Sequence, residues 1–98
     1  MTKLELESAL EDRCVTKVES AGGLALKLRP PTGMGFPDRL VFLRGHVWAC
    51  EFKRPKKGVV SAQQVTWRRL LTLAGFGVYF VASDEEFGAA WEREMNRG

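Results

Sequence analysis

Two strand-like runs joined by the dipeptide Arg44-Gly45 constrain the fold of this chain more than any other feature. The runs DRLVFL (38–43) and HVWACEFK (46–53) are rich in β-branched and aromatic residues, and a short glycine-containing loop between such runs is typical of a β-hairpin. Each run also contains one acid, Asp38 in the first and Glu51 in the second. Because both runs are apolar enough to be buried, the hairpin is predicted to hold two carboxylates where charge is usually excluded.

The register of the hairpin decides which side chains meet. If Arg44-Gly45 is the loop, Asp38 lies directly across from Glu51. If the loop is shifted by one residue, Asp38 pairs with Lys53 instead, and all three charged groups still share one face because side chains alternate along a strand. Opposed Cβ atoms are about 5 Å apart, and like charges at that separation destabilise a sheet unless a cation neutralises them.

Carboxylate oxygens in this arrangement suit Mg²⁺ or Mn²⁺, and the sequence has no His or Cys cluster that would favour zinc. Beside such an ion, Lys53 would orient or deprotonate an attacking water or stabilise charge on a phosphate. The competing interpretation is a plain salt bridge between Lys53 and Glu51, which is the commoner meaning of an isolated E-x-K triplet. Here the triplet follows a Pro-Asp one strand earlier and leads into the basic run RPKK (54–57), and this combination favours function.

The remaining segments complete a predicted α/β fold with a mixed sheet, in the order α-β-β-β-α-β-α. Strands are predicted at 24–28, 38–43, 46–53 and 77–82, and helices at 2–20, 61–75 and 83–95. The potential capping boxes are Thr2 with Glu5, Ser61 with Gln64 and Ser83 with Glu86. The apolar positions of the second helix are Val65, Leu70, Leu71 and Leu73. Segments 29–35 and 54–60 are expected to be loops, and residues 1–98 one domain.

Composition indicates a small cytoplasmic protein that tolerates an anionic partner. No apolar run approaches the roughly 20 residues that span a bilayer, and the first residues lack a signal-peptide pattern. Lys and Arg number 15 against 12 acids, for a formal net charge of +3. Cys14 and Cys50 lack metal-ligand spacing and are expected to be free thiols. A domain this small buries a modest fraction of its surface, so a homodimer is plausible.

The motifs G-F-P-D (35–38) and E-F-K (51–53), on adjacent predicted strands, follow a helix bearing Glu and precede a helix bearing Gln. In this order and spacing they resemble the PD-(D/E)XK nuclease superfamily, and within it the chain is most similar to a stand-alone VRR-NUC domain of the phage and bacterial type. The similarity extends from about Glu7 to Glu86. It implies a restriction-endonuclease-like core, in which a mixed sheet is flanked by helices.

The resemblance implies a role for the acid of the first motif and for each residue of the second. Asp38 and Glu51 correspond to metal ligands, and Lys53 corresponds to the catalytic lysine. By the same analogy the main-chain carbonyl of Phe52 is a further metal ligand.

Two helical residues are also implied. Glu7 is the best match to the acid of the family's first helix, with Glu5 and Glu11 as alternatives, and a solvated helix face is the competing interpretation. Gln64 matches the family's glutamine and would support the site or contact DNA, unless its capping role occupies the side chain.

The resemblance further implies a Mg²⁺- or Mn²⁺-dependent endonuclease that hydrolyses DNA phosphodiesters, of the kind that cuts four-way (Holliday) junctions. A junction with two symmetric strands to cut suits a homodimer with two active sites. The basic residues expected to contact phosphates are Arg54, Lys56, Lys57 and Arg68. The alternatives are a nuclease acting on flaps or DNA ends, and a non-catalytic nucleic-acid-binding module. For the dimer surface we favour the first helix, with Leu4 and Leu6, over the last helix, with Trp91 and Met95.

Overall fold

The computed structural model describes residues 3–27, 35–53 and 61–97, with the side chains of the first helix described from Glu7 onward. Within these ranges the elements follow the predicted order. The helices are α1 (Lys3–Ser20), α2 (Ala62–Leu73) and α3 (Asp84–Met95). The strands are β1 (Leu24–Lys27), β2 (Arg39–Leu43), β3 (His46–Phe52) and β4 (Gly77–Val81). None of the helices so described is both long and apolar enough to cross a bilayer.

The sheet is mixed, as the sequence predicts, and its strand order is β1-β2-β3-β4. β1 and β3 are both antiparallel to β2, whereas β4 runs parallel to β3. Leu43 pairs with His46, so Arg44-Gly45 is the loop of the β2–β3 hairpin. Both loop residues have positive φ angles, 50° and 81°, which is the backbone of a type I′ turn. The register predicted for a loop at Arg44-Gly45 is therefore confirmed.

One face of the sheet packs against α1 and α3 and forms the hydrophobic core. Trp48, Cys50 and Phe52 of β3 are buried on this face, as their alternation along the strand predicts. The buried residues that the two helices add to this cluster are Leu10, Cys14, Val18 and Phe87. Trp91 and Met95 also pack against the cluster. Their contacts are explained by the core, so α3 is not supported as a dimer surface.

The opposite face of the sheet carries α2, and here the helix differs from the sequence interpretation. None of the residues of α2 is buried. Val65 and Leu70 are about half exposed and Leu73 is 78% exposed. The helix exists where it is predicted, but its apolar positions do not enter the core, because α2 lies beside β4 at the edge of the sheet.

Two helix starts test the predicted capping boxes, while the box of Thr2 and Glu5 lies outside the described side chains. Ser61 caps α2, and both reciprocal hydrogen bonds with Gln64 are present. Ser83 caps α3 by accepting a hydrogen bond from the Glu86 amide at 3.1 Å. The Glu86 carboxylate, however, accepts from the Ala82 amide at 2.6 Å. The third box is thus only half formed, because the acid reaches one residue further back along the chain.

Candidate functional site

The two acids of the hairpin lie side by side at the end of the strands. Asp38 directly precedes β2 in the register that pairs Arg39 with Cys50, so the next pair brings Asp38 and Glu51 together. The Asp38 carboxylate accepts a hydrogen bond from the Phe52 amide at 2.9 Å, which anchors it to β3. Glu51 is only 6% exposed. The sequence prediction of two facing carboxylates is reproduced by the geometry.

Glu51 is held in an environment that opposes its negative charge. Burial raises the pKa of Glu51 to about 8, and the charge and hydrogen bond of Asp38 add to that rise. Lys53 and Gln64 act in the opposite direction, by charge and by hydrogen bonding respectively. Oε2 of Glu51 is buried and has no hydrogen-bond partner among the residues that the structure describes. An unpaired oxygen on a buried carboxyl group is costly unless something else contacts it.

Among the described residues, the other buried acid has very different surroundings from those of Glu51. Glu94 of α3 is 2% exposed, and its carboxylate accepts hydrogen bonds from the Tyr79 hydroxyl and from the Arg97 guanidinium at 3.0 and 3.2 Å. Glu94 is therefore a satisfied structural acid. Among the described residues, Glu51 has no comparable arginine partner, and one of its carboxyl oxygens accepts no hydrogen bond from them.

Lys53 and Gln64 meet next to this pair. The Lys53 ammonium donates a hydrogen bond to Gln64 Oε1 at 3.0 Å. The same oxygen accepts from the Ser61 amide at 2.9 Å as part of the α2 capping box. The amide oxygen of Gln64 thus completes the cap and also contacts the lysine. The side-chain amide of Gln64 therefore links the start of α2 to Lys53 through hydrogen bonds.

Gly35 explains how the G-F-P-D segment approaches α2. Its φ angle is +80°, and a Cβ added to it would lie 2.7 Å from the Gln64 nitrogen, closer than real Cβ atoms come to backbone. Next to it, the ring of Phe36 packs edge-on against Trp67, with the ring centroids 5.0 Å apart. The absence of a side chain at position 35 therefore allows the segment that carries Asp38 to touch the turn that carries Gln64.

A pocket of about 290 Å³ opens beside Asp38. Its lining residues are Glu7, Ser8, Glu11, Lys27, Asp38 and Phe52. Of the three acids of α1 considered from the sequence, Glu7 and Glu11 line the pocket, whereas the side chain of Glu5 is not described. Glu11 also accepts a hydrogen bond from Arg39 Nε at 2.6 Å, and the guanidinium balances its charge. Lys27 was not anticipated, since no local pattern tells where β1 pairs across the long segment that follows it.

The carboxylates fit a divalent cation as a pair rather than as a larger cluster. Within residues 3–27, 35–53 and 61–97, no group of three or more His, Cys, Asp or Glu side chains is placed to hold a metal ion. Glu7 therefore does not close a three-acid cluster with Asp38 and Glu51. Mg²⁺ commonly uses one or two carboxylates and fills its other positions with water and substrate phosphate. Two adjacent carboxyls, with one buried oxygen unpaired, match that pattern.

Of the basic residues expected to contact DNA, only Arg68 is described, since Arg54, Lys56 and Lys57 lie outside the described residues. Arg68 is exposed on α2, and its guanidinium carbon lies 5.2 Å from the centroid of the Phe80 ring. Phe80 is the parallel-sheet partner of Glu51. Arg68 is consequently on the same face of the sheet as the buried acid.

Comparison with solved structures relates the fold to a known domain. A solved structure described as "VRR_NUC domain" superposes on this chain with a TM-score of 0.79 and 26% sequence identity. The match covers 89% of this chain and 95% of that chain. No protein-family model matches the sequence, and a search of curated proteins gives no match.

Proposed function

Since this chain is a VRR-NUC domain, a nuclease domain of the PD-(D/E)XK type, we propose that it is a metal-dependent, structure-specific DNA endonuclease that cuts four-way junctions as a homodimer. The observation that carries the proposal is the buried Glu51 carboxyl beside Asp38, with an oxygen that accepts no hydrogen bond from residues 3–27, 35–53 or 61–97. Such an arrangement costs stability in the protein alone, and a cation that neutralises both groups removes the cost.

The residues that would hold Mg²⁺ or Mn²⁺ are the carboxylates of Asp38 and Glu51 and the main-chain carbonyl of Phe52. Glu7 lines the adjacent pocket and would add negative charge there. When bound, the cation would supply positive charge that stabilises the phosphate and makes a water more acidic. Asp38 is anchored by the Phe52 amide and Glu51 lies within a strand, so both are held before substrate arrives.

Lys53 would assist the attack of water on phosphorus. Its ammonium, oriented by the hydrogen bond to Gln64, would position that water or stabilise the charge that develops on the phosphate oxygens. Gln64 would act through Lys53 and through its hydrogen bond to Glu51. The leaving oxygen of the broken phosphorus–oxygen bond would take a proton from solvent.

DNA would be held through its backbone. Arg68 supplies positive charge next to the site, and we propose Arg54, Lys56 and Lys57 as further phosphate contacts. Structure specificity, rather than sequence specificity, follows if these contacts dominate. The two-fold symmetry of a four-way junction suits two copies of the chain. Several large apolar side chains remain exposed, Leu24 and Leu73 among them at 57% and 78%, and supply surface that association would cover.

The direct test is cleavage of end-labelled four-way junction, flap, single-strand and duplex DNA with Mg²⁺, Mn²⁺ or EDTA. Lys53→Met is expected to lower kcat by at least about 100-fold while binding in Ca²⁺ persists. Lys17→Met is the matched control, because Lys17 is an exposed lysine of α1 that lies 3.5 Å from Asp84. Undiminished cutting in EDTA would contradict the proposal.

The assembly is tested separately by sedimentation of the free protein and of its junction complex. Two copies per junction and paired symmetric cuts support the homodimer. Cuts confined to flaps or DNA ends would redirect the proposal to a nuclease of linear substrates. Salt-sensitive binding that needs no metal and gives no product would mean a binding module instead.

A further inference from the structure

A half-buried ion pair lies behind the pocket and is not used by the proposed chemistry. Arg39 Nε donates to Glu11 Oε2 at 2.6 Å, and the two side chains are only 19% and 14% exposed. The guanidinium also donates through a second nitrogen to the Ala25 carbonyl at 2.9 Å. The Lys27 ammonium lies 3.9 Å from the same carboxylate oxygen. One arginine thus joins α1, β1 and β2 at a single point.

The positions of the two partners relate this point to the acids of the pocket. Glu11 lies four residues after Glu7, which is about one helical turn further along the same side of α1. Arg39 directly follows Asp38. A contact between Glu11 and Arg39 therefore sets how far the part of α1 that carries Glu7 lies from Asp38, which directly precedes β2. Glu7, Glu11 and Asp38 line one pocket, which confirms that the two acids and the ion pair are neighbours.

The chemistry of the pair suits a positioning role better than a ligand role for Glu11. A short hydrogen bond between ionised partners is among the stronger polar contacts, and arginine, with its planar fork, holds both a carboxylate and a carbonyl in a defined direction. The carboxylate of Glu11 is occupied by this contact, so its charge is not available to a cation in the pocket. By contrast, the Arg13–Asp84 pair of the same helix is exposed, at 54% and 41%, and lies at α3.

We propose that Arg39 and Glu11 are positioning residues, whose ion pair fixes the separation of Glu7 from Asp38 and thereby tunes the affinity of the Asp38–Glu51 pair for a divalent cation. The inference rests on the proposed metal-dependent function. It assigns to Glu11 the task of fixing the wall of the pocket that Glu7 and Asp38 also line. Outer contacts that orient metal ligands typically change metal affinity by about 10- to 100-fold when they are removed.

The test measures Mn²⁺ binding by isothermal titration calorimetry, which needs neither DNA nor turnover. Arg39→Met is expected to weaken Mn²⁺ binding by about 10-fold or more. Arg39→Lys, which keeps the charge but loses the fork, should fall between that variant and the wild type. Arg13→Met removes an equal charge from an ion pair of α1 away from the pocket, and its Mn²⁺ affinity should match the wild type.

Glu11→Gln completes the design by removing the other partner. If the two residues act only through each other, the double variant of Glu11 and Arg39 should bind Mn²⁺ about as weakly as the worse single variant. Circular dichroism verifies that each protein is folded at the temperature of the titration. A pair that merely stabilises the fold would lower the melting temperature without changing the Mn²⁺ affinity of the folded protein, and that result overturns the inference.

The outcomes separate this inference from the function on which it rests. A wild type that binds Mn²⁺ and cleaves DNA, with Arg39→Met unchanged in Mn²⁺ affinity, refutes the positioning role alone. A wild type that neither binds Mn²⁺ nor cleaves any substrate refutes the proposed function and the positioning role with it. Weaker Mn²⁺ binding in Arg39→Met and Glu11→Gln, with Arg13→Met unaffected, supports both.

Discussion

Replacing Glu51 by glutamine should remove a pH-dependent loss of stability from the metal-free protein. Glu51 is 6% exposed, lies against Asp38, and has a buried oxygen without a hydrogen-bond partner. These surroundings raise the pKa of Glu51 from 4.5 to about 8. Glutamine has nearly the same shape but never ionises. The difference between the two proteins therefore isolates the cost of the buried charge.

The sign and the size follow from proton linkage. Because the pKa is higher in the folded state, the folded protein retains a proton between pH 4.5 and about pH 8 that the unfolded chain has lost. The free energy of unfolding should then fall as pH rises through this window, by about 1.4 kcal/mol per pH unit. Over the whole window the loss amounts to about 5 kcal/mol, and it is constant above and below. A loss of this size is a large part of the stability of a small domain.

Urea unfolding in EDTA, repeated across the pH range, measures the effect. Relative to the wild type, Glu51→Gln should gain about 5 kcal/mol between acid pH and about pH 8. Glu19→Gln is the matched control for the loss of one carboxylate, because Glu19 is exposed on α1, and its curve should run parallel to the wild type. Saturating Mn²⁺ above neutral pH should stabilise the wild type and have little effect on Glu51→Gln.

A constant difference between wild type and Glu51→Gln across the pH range would refute this reasoning. It would mean that the Glu51 charge is neutralised in the metal-free protein by groups other than a cation. A pH-dependent difference that persists unchanged in saturating Mn²⁺ would refute the second step, in which the cation neutralises the pair.

Three further measurements probe the surroundings of the site. In Gly35→Ala the new Cβ would collide with the first turn of α2. This change should lower the free energy of unfolding by about 2 kcal/mol, measured with urea, and should slow cleavage in single-turnover assays. Ser61→Ala should cost about 1 kcal/mol of stability with little change in cleavage, whereas Gln64→Ala should lower both stability and kcat. Burial raises the pKa of the Cys14 thiol to about 11 and that of Cys50 to about 12, so neither should react with Ellman's reagent before unfolding, and rapid labelling of the native protein would contradict the buried placement.

Local rules accounted for much of the fold and for the centre of the site. Side chains alternate along a strand and a two-residue turn sets the register, so the meeting of Asp38 with Glu51 was predictable from the position of Arg44-Gly45. The start of α2 was predictable from Ser61 because a cap acts over three residues. These inferences needed only neighbours in the sequence.

Contacts between distant elements were not predictable in this way. The ion pair of Glu11 with Arg39 depends on how α1 lies across the sheet, and the presence of Lys27 in the pocket depends on how β1 pairs with β2. No spacing rule spans the segments that separate them. The exposure of Leu73 also escaped prediction, because an apolar pattern marks one side of a helix without stating whether another element covers it.

The sequence by itself determined the order of the elements, the hairpin register and the residues that carry charge into it, because periodicity and turn chemistry act over short distances. Only the tertiary structure decided the electrostatic state of that charge. Burial raises the pKa of Glu51. Gln64 accepts hydrogen bonds both from the Ser61 amide and from the Lys53 ammonium. Gly35 allows the segment before β2 to contact the first turn of α2. Burial and close approach depend on the packing of all the elements together, and no single segment of the chain contains that information.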